Sequence, residues 1–283
     1  MSKKKRFVSY LLSIVLVIFL LATIVLTTIN CTLLSTVNIK KKLVNSNYYE
    51  ETKNIIVESC KDYVMQSGFD ESIMNDVVNT YDVQFDVDGL VDYIYEGKDF
   101  EVHSNMIRAN LDKNINEYIV NNNYQVNEET QKSINDFENS IQEIYERNIE
   151  YSADTVKQIA GVTHKIKKIV PIAMIICGII SVILILLIKE ISSPSVGITA
   201  LSTGAVLVFL KLYSGTSFVI NNILLMNKAF SNTLISVAND IVQKLFVVGI
   251  GLVVFGIVWI IYVEAKRKIV RMLLLDEHSQ VIR

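Results

Sequence analysis

The run Gln84-Phe85-Asp86-Val87-Asp88-Gly89 comes nearest to metal chemistry in this sequence. Alternating carboxylates ahead of a glycine are how a calcium loop supplies its oxygen ligands and its sharp turn. The register places Gln84 at the first ligand position and Tyr95 at the twelfth, where Asp and Glu are required. With both of those missing, the competing reading is that Asp86 or Asp88 caps a helix. His103, His164 and His278 lie in three separate regions, none with a second His or Cys at metal-ligand spacing. Cys31, Cys60 and Cys177 are an odd set, placed at a membrane end, in a polar block and inside an apolar run. They do not form a disulfide framework, and Cys31–Cys60 is the one conceivable pair. No GxSxG, HExxH, P-loop or Rossmann glycine pattern occurs. The sequence therefore nominates no catalytic, cofactor-binding or metal-ligating residue and implies no cofactor. A non-enzymatic protein is expected.

The elements that would position any site divide into two chemical materials. Residues 31–168 carry 24 Asp and Glu against 14 Lys and Arg, a formal charge of −10 in a chain whose total is −2. The remainder is apolar with basic flanks. An acidic block of this kind is repelled by phosphates and anionic headgroups, so no nucleic-acid partner is expected. The block has no proline, since the only two are Pro171 and Pro194. Ile134, Phe137, Ile141, Ile144 and Tyr145 form one helical stripe, and Ile55, Val57, Tyr63, Val64 and Met65 mark another apolar set. Asn47 followed by Glu50, and Asn127 followed by Glu128 and Glu129, read as helix starts with a capping side chain and carboxylates near the positive end. Five helices are expected, at about 47–67, 70–80, 86–96, 101–122 and 127–168. Gly68, Gly89, Gly97 and Asn121–Asn123 mark or adjoin the joints.

Residues 7–30 run 24 positions without a charge behind Lys3-Lys4-Lys5-Arg6. That length spans a bilayer core and exceeds the apolar core of a cleaved signal peptide, so an uncleaved signal anchor is expected. Three further spans are read at 169–188, 195–213 and 245–263. Pro171 falls in the first turn of its span, where its missing N–H costs least. Ala173, Cys177 and Ser181 make a small-residue face; Gly197, Ala200 and Gly204 lie on related faces, and Gly249 and Gly256 are one heptad apart. Trp259 and Tyr262 suit an interfacial belt ahead of Lys266-Arg267-Lys268. No Asp or Glu sits in the centre of a span, which disfavours a proton-coupled transporter or an intramembrane protease.

Residues 214–244 are neither span nor loop by composition. Val219, Ile223, Met226, Phe230, Leu234, Val237 and Ile241 recur at helical spacing, opposite Asn221, Asn222, Ser231, Asn232 and Asp240. This reads as an external amphipathic helix or helix pair, on the bilayer surface or against the acidic block, or as an oligomerisation or gating element. Four spans put both termini on one side. The termini and the 189–194 connector carry ten Lys and Arg against nine on the other face, so the count alone is indecisive. The basic start of the first helix favours cytoplasmic tails at 1–6 and 264–283 and an extracytoplasmic block. The fold class expected is an all-α integral membrane protein, with four transmembrane helices and a helical extracytoplasmic domain inserted between helices 1 and 2.

The run 47–68, the stretch Val91-Asp92-Tyr93-Ile94-Tyr95-Glu96-Gly97-Lys98 and the helix 128–146 resemble uncharacterised four-span membrane proteins of low-GC Gram-positive, clostridial-type bacteria. That likeness implies a plasma membrane with the block outside the cell and carries no activity. The order of one span, a large external domain and three more spans is similar in topology to the membrane subunits of FtsX-like and MacB-like ABC transporters. This second resemblance implies coupling to an ATPase inside. The six-residue tail and the short 189–194 connector depart from it, because they leave little room for a docking helix. Two functions follow as expectations. One is a membrane-anchored protein whose acidic domain meets a protein partner or senses at the cell surface, or which forms a homo-oligomer. The other is a permease-like transport subunit or an oligomeric pore.

Overall fold

The computed structural model describes residues 3–150, 153–191, 193–216 and 228–281. Every regular element among them is helical: α1 Lys3–Thr32, α2 Thr36–Asn45, α3 Tyr48–Ser67, a 3-10 turn Glu71–Met74, α4 Thr80–Glu96, α5 Ser104–Asn121, α6 Glu128–Glu150, α7 Ala153–Ile191, α8 Ser193–Thr216 and α9 Lys228–Val281. Four of these, α1, α7, α8 and α9, contain stretches long and apolar enough to cross a membrane. The chain divides into two compact units. One holds α1, α8 and the parts of α7 and α9 beyond Lys167 and Ser236; the other holds α2 to α6 with the earlier parts of α7 and α9.

In the helical unit the apolar stripes become a core. Ile56, Cys60 and Val64 come from α3, and Val83, Val87 and Val91 from α4. Ile107, Leu111 and Ile115 come from α5, and Ile134, Phe137, Ile141, Tyr145 and Ile149 from α6. All recur at three- and four-residue steps, the spacing that keeps side chains on one helix face. Each large apolar side chain so buried contributes roughly 1.5–3 kcal/mol.

The ends of these helices follow local chemistry. Ser35 starts α2, its Oγ accepting from the Asn38 N–H at 3.3 Å. Asn47 precedes α3 in the left-handed region at φ 58° and makes no side-chain cap, so its role is the turn rather than the expected cap. Gly68 (φ 80°) and Gly97 (φ 71°) end α3 and α4 in conformations that suit glycine. Asn127 does cap: its Oδ1 accepts the Thr130 N–H at 2.8 Å.

The expected list changes most between residues 70 and 96. The helix read over 70–80 is a single 3-10 turn, which Asp70 starts by accepting the Ser72 N–H. Asp76 then turns left-handed at φ 57° and ends any helical run. Asn79 restarts the chain by accepting the Asp82 N–H at 2.9 Å, so α4 begins at Thr80 rather than 86. Gly89 consequently lies inside α4 and is no joint.

The residues read as an external amphipathic segment, 214–244, also divide. Ser214–Thr216 complete α8, and 228–244 open α9, which continues unbroken to Val281. Val219, Asn221, Asn222, Ile223 and Met226 lie outside the described residues. The first turns of α9 belong to the helical unit, where the Thr233 hydroxyl lies 2.6 Å from that of Ser46.

In the apolar unit α8 is the most enclosed of the four long apolar helices. It packs against α1, and the hydroxyls of Ser9 and Ser195 meet at 3.0 Å. Thr199 and Thr203 return their hydroxyls to the carbonyls of Ser195 and Thr199. Leu16 of α1, Leu184 and Ile188 of α7 and Val196 of α8 form one buried cluster. Helices α8 and α9 run antiparallel with glycine against glycine. A Cβ on Gly204 would lie 2.6 Å from the Gly249 carbonyl oxygen, and one on Gly256 would lie 2.7 Å from that of Gly197. The indole N–H of Trp259 donates to the Ser193 carbonyl at 3.0 Å.

Candidate functional site

The acidic run 84–89 lies wholly within α4, so its carboxylates diverge around a helix instead of converging as a calcium loop requires. Asp86 turns inward and is 1% exposed. Its Oδ1 accepts from the backbone N–H of His103 and lies 3.0 Å from His103 Nδ1, while Oδ2 accepts from the Tyr145 hydroxyl at 2.8 Å. A carboxylate has no proton to give, so the ring hydrogen resides on Nδ1. His103 is the N-cap residue of α5 and makes no side-chain cap bond itself. Asp86 thus serves the start of α5 rather than its own helix. Burial, reinforced by the bond to Asp86, pushes the Tyr145 hydroxyl far up, so it stays protonated. Asp88 faces the other way and accepts from the Tyr49 hydroxyl at 2.6 Å. Ser104, next to His103, is buried and donates to Glu146 at 2.6 Å.

In front of this network α4 and the segment 98–103 enclose a cleft of about 430 Å³. One wall is the α4 stripe Tyr81, Gln84, Phe85, Asp88 and Asp92, at helical spacing on one face. Asp99, Phe100, Glu101 and His103 form the other, and Lys40 of α2 stands at its edge. Gly89 makes the fit possible: a Cβ there would lie 3.0 Å from Phe100 Cδ2. The His103 ring meets Phe85 edge-on, with centroids 4.8 Å apart.

The charge of the cleft is uneven. Asp92 is paired with Lys40 at 2.6 Å and Lys98 at 3.1 Å. Burial opposes its ionisation, but the two ammoniums outweigh that and hold Asp92 below the usual carboxylate range. Asp99 and Glu101 have neither an ion-pair nor a hydrogen-bond partner among the described residues. Four carboxylates, two of them uncommitted, therefore face one lysine across aromatic surface. Such a cleft can hold a cation; it assembles no nucleophile, base and oxyanion donor for group transfer.

The other residues with chemical potential are dispersed. His164 of α7 covers Gly97, where a Cβ would lie 3.2 Å from its Cε1. Lys167 donates to the Tyr95 carbonyl at 3.1 Å and sits over the Tyr95 ring. The His278 side chain lies outside the described residues. All three cysteines are free, with no Cys31–Cys60 bridge, and burial pushes the Cys60 thiol up to about 12. Among the described residues no group of three or more His, Cys, Asp and Glu could hold a metal ion. A second, smaller groove of about 350 Å³ lies between Phe69, Tyr118, Tyr124 and Ile134. Tyr81, Phe85, Asp99, Phe100 and Glu101 escaped sequence reasoning. The available signal was Tyr81 and Phe85 standing off the Val83, Val87 and Val91 core stripe of the same helix.

No family model, curated protein or solved structure matches the chain.

Proposed function

We propose that this chain is a non-enzymatic protein of the plasma membrane that presents its acidic helical unit outside the cytoplasm, for protein interaction or sensing, with both termini cytoplasmic. The observation that carries this reading is the cleft itself. It is an open, aromatic, acidic surface with two uncommitted carboxylates, on a unit that has its own core, in a chain with four apolar helices. The −10 charge of residues 31–168 suits a unit that stands off anionic headgroups and meets a protein surface.

Thiol labelling of whole cells tests it. A membrane-impermeant maleimide is applied to single-cysteine variants Asn122→Cys and His278→Cys, in a background with Cys31, Cys60 and Cys177 replaced by serine. Labelling at 122 and protection at 278 is the expected result. The reverse pattern places the helical unit in the cytoplasm and overturns the reading. Co-purification of an ATPase replaces it with the permease-like one.

A further inference from the structure

We propose that the cleft between α4 and the segment 98–103 receives an arginine side chain of a protein partner. This rests on the interaction role proposed above and names the chemistry of the partner.

Size comes first. A cleft of about 430 Å³ falls within the roughly 300–1,000 Å³ of small-molecule sites and has room for one long side chain. Charge comes second. Asp88 and Asp92 are committed to Tyr49, Lys40 and Lys98, whereas Asp99 and Glu101 are uncompensated at the mouth. A cation entering there meets charge that no side chain among the described residues neutralises.

The walls choose among cations. Tyr81 is 72% exposed and Phe85 52% exposed, both projecting from the polar side of a helix whose other face is core. Their rings offer aromatic faces to a cation that enters. A guanidinium suits this lining better than an ammonium: it is planar and weakly hydrated, stacks on aromatic faces and pairs with carboxylates in a fork. The walls are held by contacts within the unit before anything binds. Asp86 holds the backbone and ring of His103, His103 meets Phe85 edge-on, and Gly89 seats Phe100. Binding a side chain there orders little else.

The test uses the full-length protein in phosphatidylcholine nanodiscs, a neutral lipid that does not attract the probe. The probe is a fluorescein-labelled tetra-arginine peptide read by anisotropy at about 0.15 M salt, where distant surface charges are screened. The Asp99→Asn/Glu101→Gln double variant is expected to weaken binding at least about tenfold, and uncharged Phe85→Ala by a similar factor. Glu58→Gln/Glu143→Gln removes the same charge from exposed positions outside the cleft and is expected to change binding less than about twofold. A tetra-lysine peptide is expected to bind at least about tenfold more weakly.

Equal losses in both charge-removed variants mean diffuse attraction and overturn the proposal. An unchanged affinity for Phe85→Ala, or equal binding of tetra-lysine, also overturns it. Protection of the buried Cys60 thiol from labelling verifies that each variant is folded. Intact binding with the helical unit found in the cytoplasm sinks only the proposed location. Lost specificity with labelling at residue 122 intact sinks only the cleft.

Discussion

Gly89 and Phe100 pack more tightly than an ordinary side-chain contact: a Cβ on Gly89 would lie 3.0 Å from Phe100 Cδ2 and 3.1 Å from Cε2. Gly89→Ala sets two effects against each other. Alanine favours the helix interior by about 1 kcal/mol. The new methyl also makes the Phe100 ring, one wall of the cleft, give by a few tenths of an ångström. The expected outcome is a stability change within about 1 kcal/mol in either direction, together with weaker tetra-arginine binding. Denaturant unfolding and anisotropy on the same sample separate the two.

Asp86 satisfies three donors at once, the N–H and Nδ1 of His103 and the hydroxyl of Tyr145. Asp86→Ala removes all three bonds and leaves the buried Tyr145 hydroxyl without its acceptor, and is expected to cost about 2–3 kcal/mol. Tyr145→Phe removes one donor and leaves Asp86 two, with an expected cost of about 1 kcal/mol. In a double-mutant cycle the second change is expected to cost almost nothing on top of the first.

The acidic core predicts an unusual pH profile. Burial, then the neighbouring Asp86 charge, raises Asp82 above the ordinary carboxylate range despite a bond from Asn79. Burial, then Asp112, raises Glu138 despite Arg108, and Glu138 Oε1 is buried without a partner. A carboxyl raised in the folded state binds its proton more tightly there than in the unfolded chain. Its stabilising contribution is present below the unfolded value of about 4 and is lost as pH rises through the folded value. Asp92 has the opposite sign: its contribution is present above the unfolded value and lost as pH falls through its lowered one. Stability is therefore expected to fall as pH rises from about 4 through the folded values of Asp82 and Glu138, and Glu138→Gln to make that fall shallower. A Tm series across that range checks it; an identical slope in Glu138→Gln contradicts the assignment.

The antiparallel glycines of α8 and α9 give a sharp contrast. Gly204→Ala and Gly256→Ala place a methyl 2.6 and 2.7 Å from backbone oxygens that cannot rotate away. Each is expected to cost about 1–3 kcal/mol or to force the pair apart. A Cβ on Gly251, on the same helix, meets nothing within 4 Å, so Gly251→Ala is expected to be silent or slightly stabilising. Thermal unfolding in detergent, followed through Trp259, distinguishes them.

Much of the helical framework was legible because period and length carry it. The stripe from Ile134 to Ile149 specifies the buried face of α6, and the uncharged runs specify the apolar helices. What failed was local. No helix was expected between the first span and residue 47, yet Ser35 caps one over Thr36–Asn45. Ile73, Met74, Val77 and Val78 have helical spacing but reach the core from a turn, because Asp76 reverses the chain. Asp86 stood out for its alternation with Asp88, a pattern with meaning in a loop and none on a helix, where its real partners lie 17 and 59 residues away. The cleft was invisible for the same reason: α2, α4 and the 98–103 segment become neighbours only after folding.

The paired glycines also have a mechanical meaning. They are spaced two turns apart on each helix and oppose one another at both levels, so a slide of one residue, about 1.5 Å, misaligns both levels together. No intermediate register is available between full engagement and collision of backbones. Helices α8 and α9 are therefore keyed to one register, as a splice keys two beams.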